Sequence, residues 1–385
     1  MTSFRDYVRL LEGHDALSQP HVVSAEPPMK LPESVTKLAE AFRKGREVSL
    51  GKEVHPKGGE RDITLKSRKL YAVGPAVTNY LLERSTGNID LATDAHPDEV
   101  EKICHGHNPP YPCVKSDRRK GTVKIRVGGN DYDVSTLRNG NANGEGKLPF
   151  TGDLKQDAMR RNFTLDALYY EILGKKIIDP LGGIGHLRDG TVKFVTDPKE
   201  VLNRNPEAAF EYAKWVASLP NGHTDDSTLE DIREWASSGK HDDARSGFLS
   251  QLSDPYLDTQ KYLETCQRAG ILSAAFGDLS TSADAGQGDV AKTKPLLLAS
   301  ILKTNAPGAV ARKLKEHGYS PREVNDTVFL LNLLKFKDEP WMEREFRRRL
   351  IKTSLTRKQI LDWAKANNLN AKAVQAMLDR EMTDD

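Results

Sequence analysis

The sequence predicts an α+β protein in which a small mixed sheet with helices precedes a long all-helical region. Two patterns predict this class. From about residue 205 onward, glycine and proline become less frequent, and apolar residues recur at helical spacing to the last residues. Between residues 69 and 200, short apolar or alternating runs typical of strands lie among helical stretches: KLYAVG, NIDLAT, GTVKIRVGG, YDVSTLR, KKIIDP and VKFVTDP.

These changes in composition divide the chain into five segments. Within the first segment, helical spacing predicts a helix over 34–47, and the proline content predicts a tether over 13–32. The segments are an N-terminal extension with short helices and the tether (1–68), a mixed α/β domain (69–200), a helical segment (201–279), a flexible linker (280–294) and a helical C-terminal segment (295–385).

Composition excludes several classes of protein. Mean hydropathy is −0.59, and no run of about 18 apolar residues exists, so we expect no membrane-spanning helix. The N-terminal stretch has no continuous apolar core, which argues against a secretory signal peptide. Three cysteines are too few for a disulfide scaffold, so we expect a reducing, cytoplasmic location.

The net charge of +2 hides an uneven distribution of charge. Residues 115–126 contain six basic residues and one acidic residue, residues 335–358 nine and four, and residues 225–258 three and nine. Aromatic residues interleave with the second basic stretch, a combination typical of contact with phosphates and stacked bases. The alternative is a solvated helix face beside acidic neighbours. We therefore predict RNA binding by a basic run in this stretch: Arg347, Arg348, Arg349 and Lys352.

Candidate functional residues concentrate in the α/β domain. An apolar strand ending at Val73 is followed by Gly74 and a helix, an arrangement that lets backbone amides approach a phosphate. The next strand places Asn88 and Asp90 on one face, because alternate residues of a strand share a face. Two acidic side chains at this spacing can hold a pair of metal ions, but here only Asp90 is acidic.

Two further segments add charged groups. Asp133 lies on an alternating strand that runs to Arg138. Asp157 begins a helical stretch that ends in the twin residues Arg160 and Arg161. Guanidinium groups suit the oxygens of a triphosphate because each can donate two parallel hydrogen bonds. Taken alone, each segment is more often a solvated strand residue or a salt-bridged surface pair than a functional site.

Together and in this order, the segments resemble class II tRNA nucleotidyltransferases (CCA-adding enzymes) and bacterial poly(A) polymerases, of the polymerase-β-like nucleotidyltransferase superfamily. The helical residues from 201 onward resemble the family's neck, body and tail less closely. Over residues 70–200, the resemblance rests on five ordered motifs: 74–79 with 81–82, 88–90 with 92–93, 133–138, 157–167, and 178–183 with 197–198.

The resemblance implies a polymerase-β-like nucleotidyltransferase head followed by an all-α neck, body and tail. It also implies Mg²⁺-dependent addition of nucleotides from ATP or CTP to an RNA 3′ end, such as that of tRNA. In this scheme Asp90 and Asp133 would bind the metal, and Gly74 would approach the triphosphate closely. The positions that would contact the nucleotide are Arg138, Asp157, Arg160 and Arg161.

Several positions depart from the family motifs. Asn88 replaces the first metal-binding aspartate, and a neutral amide is a weaker ligand for a hard cation. The pair at 78–79 is Thr-Asn where the family has Arg-Asp, and Asn162 and Asp166 exchange the family's Asp and Asn. The family identifies the base with an Asp and an Arg of a neck helix. In the aligned stretch 204–211 neither stands at its motif position, so we expect relaxed nucleotide selectivity.

These departures leave two functions open. In the first, Asp90 and Asp133 still support nucleotidyl transfer, at a rate reduced at least ~10²–10³-fold. In the second, the protein is a non-catalytic RNA-binding or structural homologue. Asp166 would compensate for the missing carboxylate only if it faced the site. The first residues, ending in Leu-Leu-Glu at 10–12, resemble the processed leader of proteins from large tailed phages, which would favour a phage virion protein.

Two other patterns are alternative sites. Cys104, His105, His107 and Cys113 are residue types that bind zinc, but they lack a Cys-x-x-Cys pair, and we favour a variable loop. The Gly-rich run at 139–147 lacks the Gly-Lys-Ser/Thr ending of a phosphate-binding loop, which favours a mobile loop instead.

Overall fold

The protein, described by a computed structural model, divides into two compact units, Met1–Thr196 and Asp197–Asp385. The phage-like leader, most of the Gly-rich run and the centre of the predicted linker lie outside the described residues. The residues that the structure describes are 21–44, 52–54, 60–62, 67–107, 110–117, 121–139, 150–239, 245–283, 294–335, 346 and 348–381.

The first unit is a mixed sheet with helices. Its helices are α1 (Glu33–Lys44), α2 (Pro75–Leu81), α3 (Pro97–Gly106), α4 (Leu154–Met159) and α5 (Gly183–Asp189). Its strands are β1 (His21–Ser24), β2 (Lys52–Val54), β3 (Glu60–Asp62), β4 (Leu70–Val73), β5 (Asp90–Thr93), β6 (Cys113–Asp117), β7 (Thr122–Val127), β8 (Asn130–Thr136), β9 (Tyr169–Glu171) and β10 (Lys176–Asp179).

Eight of these strands form one sheet in the order β1-β10-β9-β4-β5-β8-β7-β6, and β2 pairs with β3 separately. Neighbouring strands are antiparallel except β5 and β8, which run parallel. A parallel pair needs a crossover connection, and α3, β6 and β7 form it here. All four residues of β4 are buried, as the uninterrupted apolar run predicts for a strand covered on both faces.

The β7–β8 hairpin has a register fixed by its turn. Gly128 and Gly129 both have positive φ angles, of 59° and 82°. Two-residue turns that need two positive φ angles match the twist of the flanking strands, and glycine adopts them without a Cβ clash. Val127 therefore pairs with Asn130, and each outward step along the hairpin pairs the next residues in turn.

The N-terminal extension belongs in part to this unit. β1 pairs with β10 as an outer strand of the sheet, which differs from the predicted tether over 13–32. The helix predicted over 34–47 is observed as α1, and residues 45–47 lie outside the described residues. The Phe42 side chain of α1 is completely buried. The hydroxyl groups of Ser34 and Tyr132 hydrogen-bond at 2.7 Å, and the Arg68 amide donates to the Phe42 carbonyl at 3.0 Å. Long-range pairing overrides the local Pro-rich composition here.

The described part of the second unit contains helices and no strand, as the sequence predicts. None of the helices in the described residues is both long and apolar enough to cross a membrane. The helices are α6 (Pro198–Arg204), α7 (Ala208–Ser218), α8 (Asp226–Ser237), α9 (Arg245–Gln251), α10 (Thr259–Arg268), α11 (Leu272–Phe276), α12 (Lys294–Leu302), α13 (Pro307–Glu316), α14 (Pro321–Leu333), α15 (Arg357–Ala366) and α16 (Ala371–Glu381).

Buried polar groups connect the last helices of the second unit. Asp326 of α14 is 2% exposed and accepts hydrogen bonds from the Thr353 hydroxyl at 2.6 Å and the Ser354 amide at 2.8 Å. Trp363 of α15 is fully buried, and its indole N–H donates to the Leu330 carbonyl at 3.1 Å. Both buried groups are thus hydrogen-bonded, as buried polar atoms usually are.

The packing of α1 predicts that the N-terminal extension stabilises the first unit. We expect Phe42→Ala to lower the free energy of unfolding by about 3–5 kcal/mol, because it leaves a cavity where the ring is fully buried. A urea titration followed by far-ultraviolet circular dichroism measures this. The matched control is Lys37→Ala on the exposed face of α1, which we expect to change the free energy by less than about 0.5 kcal/mol. Equal effects of the two variants would show that α1 is not packed on the sheet.

Candidate active site

Asp90 and Asp133 lie side by side on one face of the sheet. The parallel pairing of β5 and β8 sets Leu91 opposite Val134, so the aspartates that precede these residues are neighbours. Leu91 and Val134 are buried, whereas both aspartates are exposed, because alternate strand residues face opposite sides. The structure thus brings together the two carboxylates that the sequence predicts as metal ligands.

The charge environment of this pair suits a cation. Burial raises the pKa of Asp90, the Arg161 guanidinium lowers it, and the Asp133 carboxylate raises it, with a net value above the ordinary one. A hard divalent cation such as Mg²⁺ prefers charged oxygen ligands and would relieve the repulsion between the two carboxylates. The donor set therefore fits the metal that the resemblance implies.

Two other side chains contact the carboxylates. The Asn88 amide nitrogen donates to Asp90 Oδ1 at 3.4 Å. The Lys124 ammonium lies 2.9 Å from Asp133 Oδ1 and donates to Oδ2 at 3.0 Å. With Asn88 neutral and Lys124 positive, this group of four side chains carries a single net negative charge when both carboxylates are ionised.

Beside the pair, a buried carboxylate holds a cluster of arginines. Asp157 is 0% exposed. Its Oδ1 accepts hydrogen bonds from the Arg138 backbone amide at 3.0 Å and from Arg160 Nε at 2.7 Å. Its Oδ2 accepts from the Tyr169 hydroxyl at 2.7 Å and from Arg161 Nη2 at 3.3 Å. Both oxygens of the buried carboxylate are therefore fully used.

These contacts keep Asp157 ionised despite its burial. Burial raises the pKa of Asp157. Arg161, Arg160 and the hydrogen bonds together lower it by more than burial raises it, so the net pKa lies below the ordinary value. Arg161 Nε also donates to the Tyr169 hydroxyl at 3.3 Å, and its guanidinium carbon lies 5.2 Å from the centre of the Tyr169 ring. The Tyr169 side chain is thus in contact with both members of the ion pair.

Arg138 is the member of the cluster whose charge is least compensated. Its Nε is buried without a hydrogen-bond partner, because Asp157 accepts a hydrogen bond from the backbone amide of Arg138 and not from this Nε. Burial lowers the pKa of Arg138, and the guanidinium of Arg160 lowers it further. Three arginines thus share one carboxylate, two through their guanidinium groups and Arg138 through its backbone amide. The surplus positive charge suits an anion with several oxygens, such as a triphosphate.

Gly74 brings this cluster next to the strand ends. The residue has φ +69°, a conformation that side chains other than glycine's rarely adopt. A Cβ there would lie 3.7 Å from Arg161 Nη1. Val73, which precedes it, is paired with Asp90. Arg161 therefore adjoins the Gly74 turn and also acts on the Asp90 carboxylate.

Two of the departures from the family motifs take defined positions. Thr78 is fully buried, and its hydroxyl donates to the Leu165 carbonyl at 2.6 Å, so it holds α2 against the neighbouring turn. Asp166 raises the pKa of Arg161 through its charge and so belongs electrostatically to the arginine cluster. Asp166 thus lies near the arginine cluster.

Other candidates stay separate from this site. The predicted zinc residues form local contacts: the Cys104 and Cys113 thiols hydrogen-bond, and the His107 ring stacks on Tyr111 with centres 4.1 Å apart. In the described ranges, no three His, Cys, Asp or Glu side chains are grouped to hold a metal ion. The predicted RNA-binding residues lie in the second unit, where Arg348 and Lys352 are exposed, Arg349 is half-buried, and Arg347 falls outside the described residues.

The sequence analysis did not assign two side chains of this site, Tyr169 and Lys124. Tyr169 belongs to none of the sequence motifs, and its contact with Asp157 exists only because β9 lies beside α4. Lys124 could have been found, because the glycine turn at 128–129 fixes the hairpin register and sets Lys124 opposite Asp133.

Comparison with known proteins identifies the head. Residues 70–193 match the family model of the Poly A polymerase head domain. The chain is 35% identical over 163 residues to a CCA-adding enzyme of Anoxybacillus flavithermus, covering 40% of this chain and 39% of that protein. It is 26% identical over 176 residues to poly(A) polymerase I of Salmonella typhimurium, covering 42% and 36%. The matches thus span about two fifths of the relatives' length.

Solved structures share the fold over most of the chain. The CCA-adding enzyme of Bacillus stearothermophilus in complex with CTP has a TM-score of 0.64 at 18% identity, covering 91% of this chain and 81% of that one. The Thermotoga maritima CCA-adding enzyme complexed with tRNA has a TM-score of 0.63 at 13% identity, covering 93% and 86%. The predicted fold class, a head with a mixed sheet followed by helices, is confirmed.

Motifs, site geometry and comparisons converge on one domain. Residues 70–193 match the Poly A polymerase head domain, and over about two fifths of its length the chain is similar to CCA-adding enzymes and poly(A) polymerases.

Proposed function

We propose that the protein transfers nucleotides from a nucleoside triphosphate to the 3′ end of an RNA. The observation that supports this best is the juxtaposition of two opposite charge environments on β4, β5 and β8 and beside them. A buried carboxylate holds two guanidinium groups and the backbone amide of a third arginine, and beside it two exposed aspartates suit a divalent cation. The names of the relatives, CCA-adding enzyme and poly(A) polymerase, point to the same activity.

In this proposal the arginine cluster binds the triphosphate. Arg138, Arg160 and Arg161 donate hydrogen bonds to the phosphate oxygens, and Asp157 fixes two of these guanidinium groups before the nucleotide arrives. Such preorganisation means that little reorganisation accompanies the reaction. Gly74 leaves the turn open to the phosphates, because it carries no Cβ between the backbone and Arg161.

The chemical step is the attack of the RNA 3′-hydroxyl oxygen on the α-phosphorus, which forms the new P–O bond, breaks the bond to the departing pyrophosphate and releases the hydroxyl proton to solvent. Asp90 and Asp133 would hold Mg²⁺, which would supply positive charge to the reacting oxygens. The guanidinium cluster stabilises the negative charge that develops on the departing pyrophosphate. The exposed position of the two aspartates leaves room for the RNA terminus on the open face of the sheet.

RNA contact and nucleotide selectivity belong to the second unit in this proposal. Exposed Arg348 and Lys352, with half-buried Arg349, would bind RNA phosphates in a salt-dependent way. Residues 204–211, at the junction of α6 and α7, do not have the Asp and Arg at the motif positions that would identify a base, so CTP and ATP would be used with little discrimination.

A second candidate function is RNA binding without catalysis. Asn88 and Lys124 favour it, because together they reduce the negative charge available to metal ions at the carboxylate pair. The two functions differ in whether RNA is extended, so an assay of RNA extension distinguishes them.

The proposal predicts that the carboxylate pair is required for extension of RNA. We expect Asp90→Asn and Asp133→Asn each to lower the extension rate by at least ~10²–10³-fold, because each removes a charged metal ligand. The assay uses labelled CTP or ATP, Mg²⁺, and tRNA lacking its terminal nucleotides or oligo(A). Asp131→Asn is the matched control, since Asp131 is exposed on β8 two residues before Asp133. Extension that survives both site variants contradicts this assignment.

The arginine cluster predicts that a substitution of Arg138 weakens triphosphate binding without lowering the stability of the protein. We expect Arg138→Gln to raise the KM for the triphosphate by about 10–100-fold, the worth of a hydrogen bond to a charged group. We expect no fall in Tm, because Asp157 keeps its bond to the backbone amide and repulsion from Arg160 disappears. Lys155→Gln, an exposed change on α4, is the control. A lower Tm with an unchanged KM would show a purely structural Arg138.

Asn88 predicts the outcome that separates the two candidate functions. We expect Asn88→Asp to raise the extension rate, up to ~10²–10³-fold, because it adds a charged ligand beside Asp90. Extension rates are compared with those of Asn130→Asp, which adds the same charge at the exposed start of β8. If Asn88→Asp binds RNA tightly and still extends none of it, RNA binding without catalysis is the correct function.

A further inference from the structure

We propose that Lys124 supplies, at the Asp133 carboxylate, the positive charge that a second metal ion would otherwise supply, so that the Asp90–Asp133 pair binds one divalent cation. This inference deepens the proposed function, since it takes the pair as the metal-binding carboxylates of that reaction. It concerns the number and affinity of bound ions, which can be measured without RNA or nucleotide.

The position of Lys124 follows from the rigid hairpin. Lys124 of β7 is directly opposite Asp133 of β8, in a register continuous from the glycine turn to Thr122. Its ammonium lies within 3.0 Å of both carboxylate oxygens of Asp133. An ammonium that contacts both oxygens occupies the space in which a cation would bind the same carboxylate, so the two compete for Asp133.

The neighbours of Lys124 strengthen this contact. Lys115 of β6 is paired with Lys124 on the side away from Asp133, and its exposed side chain adds a like charge there. Like charges repel, which favours the orientation of the Lys124 side chain toward Asp133. Two residues farther along the same strands, Arg126 is already paired with Asp131, with Nε 2.6 Å from Oδ1. Asp131 is therefore committed to a different cation.

A charge balance gives the number of ions. Asp90 and Asp133 contribute two negative charges, Lys124 contributes one positive charge, and Asn88 contributes none. One divalent cation brings this group to a single net positive charge. A second would bring it to three, close to the Arg161 guanidinium that already acts on Asp90. Binding of the second ion would be opposed by repulsion from fixed charges on both sides.

Titration with Mn²⁺ tests the inference on the full chain, because Mn²⁺ favours the same oxygen ligands and its unbound form is measured by electron paramagnetic resonance. We expect the unaltered protein to bind one Mn²⁺ at this site and Asp90→Asn to lose it. We expect Lys124→Met to bind Mn²⁺ about tenfold more tightly or to bind a second ion, because removal of the ammonium frees Asp133. Lys124→Gln should behave in the same way and guards against misfolding of one variant.

The matched control is Arg126→Met, which removes a positive charge from the same strand and breaks the equivalent pair with Asp131. We expect it to change the Mn²⁺ affinity by less than about twofold, because Asp131 lies outside the pair. Two bound ions in the unaltered protein, equal effects of the Lys124 and Arg126 variants, or no Mn²⁺ binding in any variant would overturn the inference. One bound ion without RNA extension would overturn the proposed function and leave the inference standing.

Discussion

The buried carboxylate of Asp157 is the constraint on which the head depends. A charge that is 0% exposed is stable only when nearly every lone pair has a donor and a compensating charge lies close by. Asp157 meets this condition with two guanidinium groups, one phenol and one backbone amide, which come from the residues directly after α4, from β9 and from the segment after β8. The contacts that stabilise the buried charge of Asp157 therefore also fix the positions of the arginines in the head.

The sheet arranges the rest of the site in a single line. Residues that are opposite one another on neighbouring strands lie about 5 Å apart, so a row of them crosses the sheet at right angles to the strands. This row passes from the phenol that contacts Asp157 to the two exposed carboxylates and on to the basic edge: Tyr169, Val73, Asp90, Asp133, Lys124 and Lys115. Neutral, negative and positive side chains thus follow one another at fixed spacing.

Much of this arrangement could be predicted from sequence, and what could not has physical reasons. Gly74 and Asp157 belong to motifs because backbone conformation and burial restrict the residue type at these positions. β1 could not be predicted from its Pro-rich surroundings, since its partner β10 lies far away in the chain. The use of the Arg138 backbone amide by Asp157 was also invisible, because any residue supplies an amide there. Metal ligation by Asp90 and Asp133 stays a prediction.

The pairing of β1 with β10 also determines when the head can finish folding during synthesis on the ribosome. About 150 residues separate these strands, and at roughly 5–20 residues per second the ribosome needs about 10–30 s to synthesise them. Throughout that time β1 has emerged without its partner, and its backbone groups are available to other strands. Closure of the sheet therefore waits for β10, and nascent chains shorter than about 180 residues lack a complete head.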